Sequence, residues 1–300
     1  MPQHRYLLIV FILLILFPMA VQAEGEQRSD ATFVGRFTEW TWEFDPASQP
    51  YPEYVADPRR PRMQVGLSVY DSDIPETSSG RIMLDAGTRY TLFHVKTDSQ
   101  GIDEFALDIE GSLFTQFDTG NKLDVIGWDG VFGVLAVYDW DDRLNVRVGY
   151  RHLSAHLGDE YMENTNRPRI NYTRDALVLG LAWEFDNGIT TYIEPSWAWS
   201  VGNDDLQEEG AVIGGVQYQG PFEYWNGSAA FFSGAHVRSF EESDWELDLS
   251  AVTGFLIKRD ERSSNVRLQL ELYHGRAILG EFALDNDETY LTAGVVFDFY

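Results

Sequence analysis

Apolar and polar residues alternate with a period of two along most of this chain, and few folds can absorb that pattern. Leu247, Leu249, Ala251, Thr253, Phe255 and Ile257 share one parity; Asp248, Ser250, Val252, Gly254 and Leu256 lie between them. Val266, Leu268, Leu270 and Leu272 interleave with Arg267, Gln269 and Glu271, and Phe105, Leu107, Ile109 and Leu113 with Asp108, Glu110 and Ser112. Successive side chains of a strand point to opposite faces, so each segment has one apolar face and one that is small or charged. A soluble sandwich turns the apolar face inward. A membrane barrel turns it outward, and needs an export signal.

The signal is legible. Arg5 precedes an apolar run over residues 6–17, and Val21-Gln22-Ala23 places small residues where a signal peptidase reads. Residues 1–23 are thus expected to be a signal peptide cut after Ala23. No later stretch reaches the roughly 18 uninterrupted apolar residues of a spanning helix, so any membrane span must be a closed barrel of strands. The chain has no cysteine, which excludes disulfides and thiolate metal sites. With 22 Lys plus Arg against 48 Asp plus Glu, the formal charge of −26 argues against nucleic acid and suits a surface that attracts divalent cations.

Alternation and turn signals together predict about twelve antiparallel strands over residues 62–300, an all-β outer-membrane barrel. The fifth strand is expected at 144–154, the sixth at 173–185 and the last at 289–300. Turns at 139–143 and 186–188 are short, whereas 155–172, 200–210 and 275–288 are long. That asymmetry is expected of an outer-membrane barrel with both termini periplasmic. Trp183, Trp197, Trp199, Tyr90, Tyr138 and Tyr150 fall near strand ends on the outward parity, as interfacial belts do. The inward parity collects Arg81, Asp85, Arg89, Asp108, Glu110, Arg147, Arg151, Glu194, Glu246, Asp248, Arg267 and Glu271, a set able to cross-link a lumen through ion pairs. Residues 24–61 break the pattern with five prolines and read as a periplasmic N-terminal extension or a partial plug, with no chemistry visible.

The candidate chemistry lies on the fifth strand. His152 and Ser154 continue the outward parity of Leu144, Val146, Val148 and Tyr150, and two residues on one face can bring an imidazole to a serine hydroxyl. The sixth strand returns with Asp175 on the same parity as Leu177, Leu179 and Leu181, placing a carboxylate to orient His152. Ser154, His152 and Asp175 are the expected catalytic set, with backbone amides near Gly158 or a cation at Asp159 beside the oxyanion. Asp159, Glu160 and Glu163 with His156 could hold calcium through carboxylate oxygens, although their spacing matches no standard loop. The acids at 204–209 and 241–244 read as solvated loops.

His152-x-Ser154 resembles the His-x-Ser element of outer-membrane phospholipase A, a twelve-stranded barrel with an orienting polar residue on the next strand, and is similar to that of lipid A deacylases. In those families Asn follows the serine; here the residue is Ala155. A longer match, His152, Ser154, His156, Leu157, Gly158, Asp159, Glu160 and Tyr161, resembles an uncharacterised family of bacterial exported barrel-like proteins carrying His-x-Ser-x-His-Leu-Gly-Asp-Glu-Tyr. The final strand (Leu291, Ala293, Val295, Phe297, Phe299) is similar to the terminal strand of bacterial outer-membrane proteins, which implies recognition by the barrel-assembly machinery. The phospholipase resemblance implies an acyl-ester hydrolase acting on outer-membrane phospholipid or lipopolysaccharide. The alternatives are a narrow pore and a structural barrel that maintains the envelope.

Overall fold

A computed structural model describes residues 34–37, 40–44, 49–97, 104–140, 143–258 and 265–298. The signal peptide expected at 1–23, and the terminal residues Phe299 and Tyr300, lie outside the described residues. A two-stranded hairpin, β1 (Val34–Phe37) and β2 (Trp40–Phe44), precedes twelve long strands. These are β3 (Met63–Ser72), β4 (Gly80–Thr97), β5 (Glu104–Asp118), β6 (Asp124–Asp139), β7 (Leu144–Leu157), β8 (Thr173–Glu184), β9 (Ile189–Val201), β10 (Gly210–Tyr224), β11 (Ala229–Phe240), β12 (Leu247–Ile257), β13 (Asn265–Arg276) and β14 (Asp287–Asp298). Each pairs antiparallel with the next, and β14 pairs with β3, Leu291 opposite Val69, to close the barrel. Closure leaves no free edge around the waist. No helix among the described residues is long and apolar enough to cross a membrane.

All twelve expected strands are present. The sequence reading did not anticipate the hairpin, whose strands are too short to show a period. β4 outruns β3, which pairs only with Gly80–Ala86, and β2 occupies the overhang with Trp42 opposite Val95. The turns 185–188 and 225–228 lie at the end of the barrel where β3 begins and β14 ends, and the longer connections 158–172, 202–209 and 277–286 lie at the other.

The parity is that of a barrel in lipid. Leu268 is 41% exposed and its neighbour Gln269 4%, and the same contrast runs along β8, β12 and β14. Inside, charge is matched by charge. Arg62 bridges Asp85 at 2.6 Å and Glu271 at 3.0 Å, Arg81 meets Glu288, and Arg151 joins Glu110 at 2.6 Å to Glu194 at 2.7 Å. One residue departs from the expected inward set. Glu246 precedes β12 in a turn and is exposed, because strand parity binds a side chain only once the ladder has begun.

The lumen is filled. Residues 49–62 run through it: the Tyr54 ring stacks on Tyr192 with centroids 3.7 Å apart, Val55 N–H donates to Gln217, Ser250 Oγ donates to the Ala56 carbonyl, and Glu53 pairs with Arg267 at 2.7 Å. Arg147 lies over both Tyr51 and Tyr54. At the long-loop end, Ile278, Leu279 and Phe282 fold inward and pack with Tyr70, Ile74, Ile126 and Tyr161 into an apolar cap.

Candidate active site on the outer face

β6, β7 and β8 lie side by side, and their register sets the geometry. His152 is directly opposite Asp175 on β8 and Phe132 on β6; Ser154 is opposite Thr173 and Gly130. His152 Nδ1 is 2.8 Å from Asp175 Oδ1, and the Tyr150 hydroxyl donates to the same oxygen at 2.5 Å. Phe132 leans on the His152 ring. Gly130, opposite Ser154, adds no side chain beside Trp128 and Leu113 on that face. A shallow groove results, walled by Leu113, Trp128 and Phe132, with His152, Ser154 and His156 along it. All three are half-buried.

The structure joins His152 to Asp175 as expected but gives the serine a different partner. Ser154 Oγ is 3.0 Å from His156 Nε2 rather than bonded to His152. Along a strand, residues 152, 154 and 156 share a face, so the hydroxyl can be offered either way by rotation about one bond. Trp128 stacks on the His156 ring with centroids 4.0 Å apart and steadies it beside the serine, while Asp175 draws the His152 ring toward β8. From the sequence, His156 is expected only as a cation ligand. Its shared parity was the signal that could have placed it here.

The Gly158 N–H donates to the Ile126 carbonyl at 2.9 Å and is thereby occupied. Asp159 and Glu160 stand in the first turn of a short helix, α1 (Asp159–Thr165), where the free N–H groups of a helix start favour acids. Asp159 is exposed and Glu160 half-buried. Among the described residues, Glu208, Glu209 and Glu241 form a group of three acids close enough to share an ion.

Glu242 also departs from the solvated reading. Its carboxylate is fully buried and receives the Tyr172 hydroxyl at 2.6 Å, Arg174 at 2.8 Å and Arg276 at 3.2 Å. Burial, with Glu242 adding to it, pushes the Tyr172 phenol up to about 12, so it remains a donor. Glu281 accepts backbone N–H bonds from Ile170 at 2.6 Å and Asn171 at 3.0 Å, clamping the loop after α1 against the cap behind the groove.

Among solved structures, the chain is similar to the outer membrane phospholipase (OMPLA) of Salmonella typhi, a dimer with bound calcium. The TM-score is 0.53 at 11% identity, over 81% of this chain and 94% of that one. Outer membrane phospholipase A from Escherichia coli aligns with a TM-score of 0.52 at 12% identity, over 80% and 94%. At such identity the likeness is one of fold: an outer-membrane barrel. A comparison with curated protein sequences found no match. The family model described as "Protein of unknown function (DUF1207)" matches residues 42–299, and the chain belongs to that family.

Proposed function

We propose that this protein is an outer-membrane serine hydrolase that cleaves acyl esters of phospholipid or lipopolysaccharide, with Ser154 as nucleophile, His152 as general base and Asp175 orienting the base. The 2.8 Å contact between His152 Nδ1 and Asp175, beside a serine on the outward face, carries the reading. A carboxylate on Nδ1 fixes the tautomer that leaves Nε2 free to accept a proton, and it stabilises the imidazolium that follows. Tyr150, donating to the same Asp175 oxygen, holds that carboxylate in place. Both termini are assigned to the periplasm and the long loops to the cell exterior, which puts the groove near the ester level of the outer leaflet.

In the reaction, the Ser154 hydroxyl turns from His156 to His152, gives its proton to Nε2, and its oxygen bonds to the ester carbonyl carbon. The tetrahedral intermediate collapses, the C–O bond to the alcohol breaks, and the leaving oxygen takes the proton from His152. His152 then takes a proton from water as the water oxygen bonds to the acyl carbon; the bond from that carbon to Ser154 Oγ breaks, the fatty acid leaves, and Oγ takes the proton back from His152. Calcium is the cation to test. Asp159 and Glu160 supply two carboxylates where calcium takes about six to eight oxygens, so further oxygens would have to come from the lipid or water.

The test is fatty-acid release from phospholipid and lipopolysaccharide by refolded wild type and Ser154→Ala, each with and without calcium. Release by wild type alone supports hydrolysis; equal release by both, or by neither, removes it. A pore is the competing reading. The tyrosines and ion pairs that fill the lumen speak against it, and planar-bilayer conductance measures it directly. A purely structural barrel predicts neither activity nor conductance.

A further inference from the structure

Between residues 54–61 and the cap lies an internal chamber of about 140 Å³. Its wall carries eight arginines against four carboxylates, in a chain whose formal charge is −26. Seven of the eight have an acidic partner: Arg59 with Asp129, Arg60 with Glu53, Arg89 with Asp108, Arg147 and Arg151 with Glu194, Arg174 and Arg276 with Glu242. Arg238 on β11 is the exception. It is 7% exposed, has neither ion pair nor hydrogen bond among the described residues, and its Nη1 is buried without an acceptor. Asp57 lines the same wall and attracts Arg238 through space without forming an ion pair with it; its carboxylate contacts His236 at 3.7 Å and the Arg59 backbone N–H at 2.9 Å.

Other donors gather around Arg238. Its guanidinium lies 5.2 Å from the Phe240 ring centre, and that of Arg276 lies 4.3 Å from the same centre. Arg276 Nε is unpartnered, as are Arg59 Nε and Nη1 in the same wall. A buried guanidinium N–H without an acceptor is unfavourable, and the planar fork matches a tetrahedral oxyanion through paired N–H bonds.

We propose that the chamber is an oxyanion site that takes a phosphate or sulfate group, with Arg238 as its main ligand and Arg276 and Arg59 completing it. The site is separate from the outer-face groove and does not depend on ester hydrolysis. A second space of about 510 Å³ lies toward the short-turn end beside Phe185 and Gly188, and Glu53 and Arg89 stand in the walls of both spaces. The small volume favours an inorganic ion over an organic phosphoester.

The test is isothermal titration of the refolded full chain in detergent with sodium phosphate, sodium sulfate and glycerol phosphate, against sodium chloride at equal ionic strength. Saturable one-to-one binding of phosphate or sulfate is expected, weakened at least about tenfold in Arg238→Gln and less in Arg238→Lys, which keeps the charge and loses the fork. Tighter binding of glycerol phosphate would support the site with an organic phosphoester as its ligand. Heat with phosphate no different from chloride, or unchanged affinity in a folded Arg238→Gln, overturns the proposal. Should Arg238→Gln lose the heat-modifiable mobility of a folded barrel, the wild-type titration against chloride decides alone.

Discussion

Ser154 stands between two histidines that divide the properties of a catalytic base. His156 has the hydrogen bond to the hydroxyl; His152 has the carboxylate. Orientation by a carboxylate is what a base requires throughout the cycle, whereas a hydroxyl reorients freely. Ser154→Ala and His152→Ala should each therefore lower fatty-acid release by at least about 10³-fold, and Asp175→Asn by about 10²- to 10⁴-fold. His156→Ala should lower it by no more than about tenfold, since it frees the serine to turn. All four variants should keep heat-modifiable mobility, because these side chains lie on the outer face. If His156→Ala is dead and His152→Ala active, the base has been assigned to the wrong ring.

Among elements, the segment at residues 49–62, within the stretch expected as a periplasmic extension or a partial plug, contributes most to filling the lumen. Burial alone would raise the Glu53 carboxyl, but Arg267 and Arg60 more than reverse this and hold it at about 2, below the ordinary value of 4.5. A carboxyl depressed on folding stabilises the protein above its unfolded value, and loses that contribution as pH falls toward its folded one. The stability difference between wild type and Glu53→Gln should thus be full at pH 6 and vanish between about pH 4.5 and pH 2, as urea unfolding in micelles would measure. Tyr54→Ala removes the stack on Tyr192 and a hydroxyl 3.3 Å from Glu194; it should cost about 3 kcal/mol or more. Unchanged stability would mean that the segment does not anchor the lumen.

For the whole molecule, the consequence of a filled bore is low conductance. Planar-bilayer currents should stay near baseline in wild type and rise when the Tyr51–Tyr54 obstruction is truncated to alanine. Sidedness is tested separately. The natural chain is cysteine-free, so in lipid vesicles Leu268→Cys should resist aqueous maleimide and react with a lipid-phase reagent. Gln269→Cys, facing the packed lumen, should resist the lipid-phase reagent. Reversed labelling of Leu268→Cys would invert the barrel's faces.

The twelve strands, their parity and the shared face of His152, Ser154 and Asp175 were legible in the residues, because period-two alternation is a local property and a strand carries it without knowing its neighbours. The ladder then confirmed the His152–Asp175 pairing that parity had suggested. Other features depended on positions distant in the chain. Ser154 turns to His156 because Trp128, on another strand, fixes that imidazole. Glu242, polar and in a turn, is buried only because Arg174 and Arg276 arrive from strands on either side. The proline-rich segment became a lumen filling because a twelve-stranded bore leaves room that wall side chains alone do not close, and no local pattern records the size of that space. Alternation determined the barrel and its two faces; packing across the closed sheet decided which polar groups meet.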